Sequence, residues 1–420
     1  MSQRGVNRAR RRFIQAGALT GAGLILSNCA PNQPGNKPDN KPDNAPPGND
    51  PAPEDTWQPR KGEAPSGLTY GALLCGGILV DRDSGEEKFV FTQLNIDQTI
   101  KDRNPDQKLI MDIGFLAHGV IKNPFAEERI VVFEKKGPGS AEIDLKSNEI
   151  ATRIQPATGC EFYGHGAYSD DGRLLFATEY EKRSYEGKMT IRDAQDFSVI
   201  DEFPTFGEWP HDCQFIEDGK VVAITNGGGH IDGGAAPCVT FVDVEKGELI
   251  EKITFDNAQI NAGHLMLSSN LDLAVTHAMR DGLDNRNALG AMSLRPRGEK
   301  FKTMLSPIPV TSAMKGETLS LCMHEPTKVV AATNPFGAPD GLLTFWNYET
   351  GEFVNSLDMI QQPRGVGLSL DGKYWIVTFG REQTGVTLLS TETHEPLDPP
   401  IAFAASSQGS HAYIHDYYAA

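Results

Sequence analysis

Residues 164–178 read GHGAYSDDGRLLFAT, and this pattern recurs along the chain. Residues 210–225 (PHDCQFIEDGKVVAIT) and residues 363–378 (PRGVGLSLDGKYWIVT) repeat it. In each copy an Asp-Gly pair separates two short runs rich in β-branched and aromatic residues, which is a strong sequence signal for a β-hairpin. Each copy continues with a third strand, a polar turn and a fourth strand. The repeated unit is therefore a set of four short strands.

Six such units begin at about residues 118, 165, 211, 264, 320 and 364. A seventh unit is split between the two ends of the chain. Its predicted strands are Leu68–Cys75, Lys88–Leu94 and Lys108–Ile113, with His411–Tyr417 as the fourth. Equal four-stranded units in this number predict an all-β fold, a seven-bladed β-propeller closed by pairing of the N- and C-terminal strands.

The composition excludes several other classes of protein. The chain has 420 residues with 39 Lys+Arg against 56 Asp+Glu, and its net charge of −17 argues against nucleic acid as a partner. Its 43 Gly and 27 Pro disfavour a helical bundle, while its 20 Phe and 10 Tyr can fill a large core.

The N-terminus has the features of an export signal. Residues 1–29 contain five Arg and no acidic residue, and Arg10, Arg11 and Phe13 fit the twin-arginine pattern. The apolar stretch from Ala16 to Leu26 is too short to span a membrane, which takes about 20 residues. It ends at Cys29 in a sequence similar to a lipoprotein lipobox, although Asn28 departs from the usual small residue. The alternative is an ordinary basic tail.

These features predict three regions and a location. Residues 1–29 form the signal, residues 30–66 form a disordered Pro- and Asn-rich tether, and residues 67–420 form the propeller. We expect the protein on the periplasmic side of a bacterial membrane, held there by lipid, or soluble in the periplasm. Five cysteines remain after Cys29, and their pairing cannot be deduced from sequence.

Half of the ten histidines occupy one equivalent position of the repeat, the start of the first strand. They are His118, His165, His211, His264 and His411. Arg364 takes this position in one further unit, and Ser320 takes it in another. Since the first strand of each blade lines the central channel, the symmetry of the fold predicts that these side chains gather around one axis.

A second set follows a recurring Thr at the end of the second strand of the units. Its members are Glu179, Asn226, His277 and Asn334. We expect them on the same face, farther from the axis, with Glu179 and His277 available as additional ligands. Arg364, Asn226 and Asn334 are expected at the mouth of the channel.

Clustered imidazoles favour a transition-metal site, because neutral imidazole binds copper, iron, nickel and zinc well. The ring could hold copper or iron, or supply an axial ligand to a haem. Neighbouring histidines such as His118, His165 and His211 are expected to bind together more readily than those on opposite blades. The structural alternative is that these histidines bind backbone groups and pack one blade on the next. No catalytic motif is present, so the sequence does not favour an enzyme.

The chain resembles YVTN-type and quinoprotein-like propellers, and specific segments resemble the bacterial family called domain of unknown function 1513. The segments are Phe162–Gly166, Ser169–Glu179, Pro210-His211 and Asn226–Gly228. Asp212 departs from the family, in which Glu more often follows Pro-His. Members of this family often occur beside imelysin-like, iron-regulated periplasmic proteins. The resemblance therefore implies a link to iron or copper handling.

Three functional hypotheses follow. The first is a lipid-anchored periplasmic protein that binds a transition metal or a redox partner at a His-lined mouth, with proteins of a metal-uptake system as its partners. The second is a metal-free scaffold that docks another protein. The third is an enzyme of the quinoprotein or lactonase type.

Overall fold

The computed structural model describes residues 61–80, 83–284, 288–359, 362–380, 384–397, 402–404 and 411–419. The chain divides into Met1–Pro59 and Arg60–Ala420, and the second unit contains all described residues. Strands make up 53% of the structure and helices 4%, which confirms the all-β prediction. The signal residues Arg10, Arg11 and Phe13, and the lipidation site Cys29, lie outside the described residues.

Seven four-stranded antiparallel sheets form the blades of a propeller, as the repeats predict. The strands of blades 1 to 4, in chain order, are β1 (Ala72–Val80), β2 (Glu87–Asn95), β3 (Asp106–Met111), β4 (Ala117–Asn123), β5 (Ala126–Glu134), β6 (Ser140–Asp144), β7 (Glu149–Arg153), β8 (Cys160–Tyr168), β9 (Leu174–Glu181), β10 (Glu186–Asp193), β11 (Val199–Glu208), β12 (Pro210–Ile216), β13 (Val221–Asn226), β14 (Cys238–Asp243) and β15 (Glu248–Thr254).

Blades 5 to 7 continue in the same order, and the last strand belongs to blade 1. These strands are β16 (Leu265–Leu267), β17 (Leu273–His277), β18 (Ala291–Arg295), β19 (Lys302–Thr303), β20 (Leu321–His324), β21 (Val329–Asn334), β22 (Leu342–Asn347), β23 (Phe353–Asp358), β24 (Pro363–Leu368), β25 (Tyr374–Gly380), β26 (Thr384–Ser390), β27 (Ala402–Ala404) and β28 (Tyr413–His415). Two short helices, α1 (Ile96–Asp102) and α2 (Ile308–Thr311), and a 3-10 turn (Glu325–Thr327) lie in the connections.

Blade 1 joins the two ends of the chain. Its strand order is β28-β1-β2-β3, so the C-terminal strand is innermost. The pairing places Leu73 opposite Ile414 and Leu74 opposite Tyr413. This arrangement confirms the predicted closure.

The core consists of seven apolar clusters, one between each pair of adjacent blades. Blades 6 and 7, for example, bury Phe345 against Trp375, and neither side chain is accessible to solvent. Side chains alternate across a strand, so each blade supplies one apolar face to each neighbour. Burial between blades therefore holds the ring together and leaves the innermost strand edges free to face the axis.

Tight turns form at the Asp-Gly pairs from which the sequence predicts β-hairpins. The Asp171-Gly172 pair connects β8 to β9, and Gly172 has a φ of +67°, which favours glycine. The Asp171 carboxylate accepts a hydrogen bond from the backbone N–H of Arg173. The Asp371-Gly372 turn repeats this arrangement between β24 and β25.

The segment that precedes β1 contacts the propeller. The backbone N–H of Gly62 donates to the carbonyl of Phe125, and that of Ser66 donates to the carbonyl of Asp416. The last residues of the predicted tether are therefore attached to the body. In the described part of the chain, no helix is long and apolar enough to cross a membrane.

Candidate metal centre

Bulges in the innermost strands aim side chains at the propeller axis. The pairing of β4 with β5 is interrupted between Ala117 and Gly119, which places His118 in the bulge. Blades 3, 4 and 7 have equivalent interruptions, which include His165, His211 and Arg364. A bulge adds an unpaired residue and redirects its side chain. The bulge in the strand therefore directs the side chain at the ring position toward the axis.

In five blades a recurring Thr hydroxyl binds the backbone at the ring position or at the residue after it. Thr276 Oγ1 accepts a hydrogen bond from the N–H of His264 at 3.0 Å. Thr378 Oγ1 accepts one from the N–H of Gly365 at 2.7 Å. Thr178, Thr225 and Thr333 act in the same way in their own blades. The recurring Thr of the sequence thus satisfies an N–H group that the bulge removes from the ladder.

Five imidazoles converge on the axis. The Nε2 atoms of His211 and His264 are 2.8 Å apart, and that of His264 is 3.3 Å from His118 Nε2. His411 Nε2 lies 3.2 Å from His118 Nε2. His165 joins them, because ligand atoms of His118, His165, His211 and His264 all lie within 4.8 Å of one another. The five predicted ring histidines therefore form one cluster, which we call the His ring.

Side chains from distant blades reach each other in this cluster. His118 belongs to blade 2 and His264 to blade 5, yet their nitrogens are in contact. Adjacent histidines were expected to bind together more readily than opposite ones unless side chains reach inward. The imidazoles do reach inward, and bulges redirect those of His118, His165 and His211.

Two rings have their outer nitrogen fixed. His264 Nδ1 donates to the carbonyl of Leu319 at 2.6 Å, because a carbonyl can only accept. His165 Nδ1 lies 3.3 Å from a carboxylate oxygen of Asp212. Both contacts leave Nε2 as the bare nitrogen that faces the axis. His165 Nε2 is buried and has no hydrogen-bond partner among the described residues.

Burial keeps the His ring neutral. The pKa values of His118, His211 and His264 lie well below the usual value, first because burial disfavours the charged form and then because neighbouring imidazoles repel it. The pKa of His411 is lowered well below its usual value in the same way. Burial also lowers the pKa of His165, although Asp212 opposes the shift. Neutral imidazole is the form that binds metal ions.

The distances fit coordination of a single ion. Nitrogens bound to one zinc-like ion at about 2.0–2.1 Å lie about 2.9 Å apart at a right angle and about 3.3 Å apart at the tetrahedral angle. The three measured Nε2 separations, 2.8, 3.2 and 3.3 Å, cover this range. Outer nitrogens bound to a carbonyl and a carboxylate are typical of metal-ligating histidines. A porphyrin does not fit between nitrogens this close, so the cluster favours an ion over a haem.

The residues that follow the recurring Thr are not among the clustered ligand atoms, although His277 lines a pocket together with His211 and His264. Each is buried and binds groups of its own blade or of the linker that enters it. Glu179 forms an ion pair with Arg192 and accepts from the backbone N–H of Ala157. His277 uses both ring nitrogens, on the carbonyl of Asn261 and the hydroxyl of Ser293. Its burial lowers its pKa to about 4.

The two asparagines act similarly. Asn226 binds the carbonyl and the hydroxyl of Thr205, and Asn334 binds the hydroxyl of Thr318. Both side chains are fully buried, so they stabilise linkers and do not form an accessible channel mouth. Arg364 does occupy the ring position of blade 7, near enough to His411 to lower its pKa.

Two cavities border the His ring. A pocket of about 160 Å³, the mouth pocket, is lined by His211, His264, Lys135, Tyr163 and Glu317 together with linker residues. On the other side, a channel of about 380 Å³ is lined by His165, His264, His411 and Asp212. The ring thus separates two spaces that run along the axis.

Sequence reasoning missed Asp212, Lys135 and Tyr163 as residues of this site. Asp212 was noted only as a departure from a family pattern, although it directly follows a ring histidine in a bulged strand. That position was a usable signal, because bulged residues face inward. Lys135 follows β5 and carries no comparable signal.

None of the five cysteines in the described residues forms a disulfide. Cys213 and Cys322 both line the channel, and burial raises the pKa of the Cys322 thiol to about 12. These thiols therefore remain protonated and inert at neutral pH.

Similar folds occur in two solved structures. The hydrazine synthase of Kuenenia stuttgartiensis is 12% identical, with a TM-score of 0.55 over 80% of this chain and 98% of that chain. Dihydro-heme d1 dehydrogenase NirN in complex with DHE is 11% identical, with a TM-score of 0.54 over 85% of this chain and 77% of that chain. At these identities the likeness shows the propeller fold alone.

Comparison with curated protein sequences gives no match. A family model described as "Protein of unknown function (DUF1513)" matches residues 112–399, which include blades 2 to 6, the first three strands of blade 7 and all ring histidines except His411. Since this match spans more than half of the chain and agrees with the resemblance in the sequence, the chain belongs to the DUF1513 family.

Proposed function

We propose that the protein binds one transition-metal ion in the His ring. The observation that carries this proposal is the convergence of five neutral imidazoles, four of them buried, with Nε2 separations of 2.8–3.3 Å between the pairs in contact. Without a metal, these contacts require ring protons shared between neighbouring imidazoles. A bound cation replaces the shared protons with coordination bonds.

Copper is the first choice of metal, and iron is the second. A ligand set of imidazole nitrogens without thiolate suits copper, nickel, iron and zinc, and copper(II) binds most tightly among divalent ions of the first row. The thiols that line the channel are not among the clustered ligand atoms.

The proposed setting follows from the N-terminal sequence. A twin-arginine signal at Arg10, Arg11 and Phe13 and a lipid on Cys29 would deliver the folded protein to the periplasmic side of a membrane. There it would serve iron or copper handling and pass metal or electrons to periplasmic or membrane partners of an uptake system.

The first experiment is elemental analysis and copper titration of the full chain. We expect one equivalent of copper per protein and a d–d absorption band typical of nitrogen coordination. Replacement of His165 and His211 together by Ala removes two of five ligands, and we expect at least a hundredfold loss of affinity. The control is His230→Ala, because His230 is half-exposed and lies outside the ring.

Circular dichroism of the double variant keeps this test interpretable. A native strand spectrum combined with lost binding supports the proposal. Wild-type affinity in the folded double variant contradicts it. If the wild-type protein neither contains nor takes up copper or iron, the metal site is wrong and a docking scaffold becomes the working model.

A further inference from the structure

The mouth pocket carries two polar groups that have no partner. The side chain of Lys135 lines it, and its ammonium group forms no ion pair or hydrogen bond with any described residue. Tyr163 lines the same pocket, and its hydroxyl makes no hydrogen bond within the described parts of the chain. Tyr163 is partly buried, where a polar group is usually hydrogen-bonded, whereas Lys135 is exposed. Both groups are therefore available to a ligand in the mouth pocket.

The charges around the His ring cancel before a metal binds. The charged side chains that line the two cavities are Lys135, Glu317 and Asp212, and Arg364 occupies the ring position of blade 7. Two cations balance two carboxylates. A divalent ion on neutral imidazoles would then leave a buried charge of plus two without a counter-charge, which is costly. An anion from solution can supply part of that charge.

The geometry gives this anion a place beside the metal. His211 and His264, the closest pair of rings, line both the metal site and the mouth pocket. The pocket of about 160 Å³ admits a ligand of a few non-hydrogen atoms, since one water molecule takes about 30 Å³ of liquid.

We propose that the mouth pocket binds a small anion that coordinates the ring metal at an open position, with Lys135 pairing its charge and Tyr163 donating a hydrogen bond to it. The ligand class is a compact monovalent anion such as a carboxylate or hydroxide. This inference rests on the proposed metal site and adds a second ligand to it. It makes the centre one that receives an exogenous donor instead of a closed structural site.

The experiment uses azide as the anion and the copper-loaded full chain. We expect saturable growth of an azide-to-copper charge-transfer band, with a matching change in the electron paramagnetic resonance spectrum. Sodium perchlorate at equal ionic strength controls for screening, because perchlorate does not coordinate.

The variant Lys135→Met tests the pairing group. We expect at least a tenfold weaker azide affinity with one equivalent of copper retained, and a smaller loss for Tyr163→Phe. The matched control is Lys136→Met, because the ammonium group of Lys136 lies 4.0 Å from the ring centroid of Trp209. We expect wild-type azide affinity in that control.

The outcomes separate the two proposals. A protein that fails to bind copper contradicts the proposed function, and with it this inference. Stoichiometric copper without any azide effect contradicts this inference alone. Equal azide affinities for Lys135→Met and Lys136→Met also overturn it, because the anion would then bind without the residue that the structure assigns.

Discussion

Asp212 joins three blades at one carboxylate. One oxygen lies 3.3 Å from His165 Nδ1 and accepts from the N–H of Cys213, while the other accepts from the N–H of Leu265. It therefore orients a ring histidine and ties blade 4 to blade 5. A carboxylate in this position also makes the imidazole a stronger donor to a metal.

Asp212→Asn keeps the shape of this group and removes its charge. We expect metal affinity to fall by about 10–100-fold, the usual effect of losing an outer partner of a ligand histidine. Isothermal titration with copper measures the change. Asp218→Asn in the adjacent turn is the control, because the Asp218 side chain is 95% exposed. Equal affinities in the two variants would show that Asp212 does not support the ring.

The lowered pKa values of the His ring predict how stability depends on pH. Imidazoles with a pKa below 6.5 in the folded protein bind protons only after unfolding, so acid favours the unfolded chain. Each such histidine lowers the free energy of unfolding by up to about 1.4 kcal/mol per pH unit below 6.5. This stability is fully present above pH 6.5.

Urea unfolding of the metal-free protein between pH 7.5 and 5.5 measures the slope. We expect it to be shallower in His118→Gln and unchanged in His230→Ala, which removes an exposed histidine. A wild-type protein with equal stability across this range would show that the ring is not held neutral.

The ring histidines were predictable because the repeat marks one position in each blade, and symmetry then brings five of them together. The residues after the recurring Thr were harder to place. Sequence gives their position at the end of a strand but not which buried linker groups need partners. Glu179 and Asn334 satisfy such groups, and this demand overrides any role at the surface.

At the scale of single elements, a bulged inner strand and a threonine on the next strand form one unit. The hydroxyl of the threonine replaces the ladder partner that the bulge removes, as Thr378 does for Gly365. The sequence showed the Thr and the strand, but bulges were not predicted. For that reason the inward reach of the side chains, and contact between blades 2 and 5, was not foreseen.

Thr276→Val and Thr378→Val form a matched pair of tests. Both replace a buried hydroxyl by a methyl group and leave an N–H without its partner. We expect each to lower the free energy of unfolding by about 1–3 kcal/mol. Only Thr276→Val is expected to weaken metal binding, because Thr276 binds the backbone of His264, whereas Thr378 binds the backbone of Gly365 next to Arg364. Equal metal affinities would show that the threonine hydroxyl does not position the ligand.

For the whole molecule, closure depends on a strand of three residues. β28 pairs with β1 and places Tyr413, Ile414 and Tyr417 against the clusters on either side of blade 1. Split repeats made this closure predictable from sequence, since three strands at one end lacked a fourth. The exact bounds of this strand were not predictable. The predicted strand was His411–Tyr417, and the observed strand is Tyr413–His415.

Removal of residues 411–420 tests the closure. Burial of one large apolar side chain is worth about 1.5–3 kcal/mol, so loss of three lowers the free energy of unfolding by several kcal/mol. The control is His411→Ala, which removes a ring histidine and leaves β28 in place. Chemical denaturation compares the two, and equal stability of both variants would contradict a role of β28 in closing the ring.

His411 lies just before that closing strand, and 293 residues separate it from His118. A metal shared by these two histidines joins the last strand of the chain to the second blade through coordination bonds. Because β28 lies between His411 and the C-terminus, pulling on the C-terminus first separates β28 from β1 and only then loads the nitrogen–metal bond. The loaded protein therefore unfolds through an additional ligand-exchange step that the empty protein lacks.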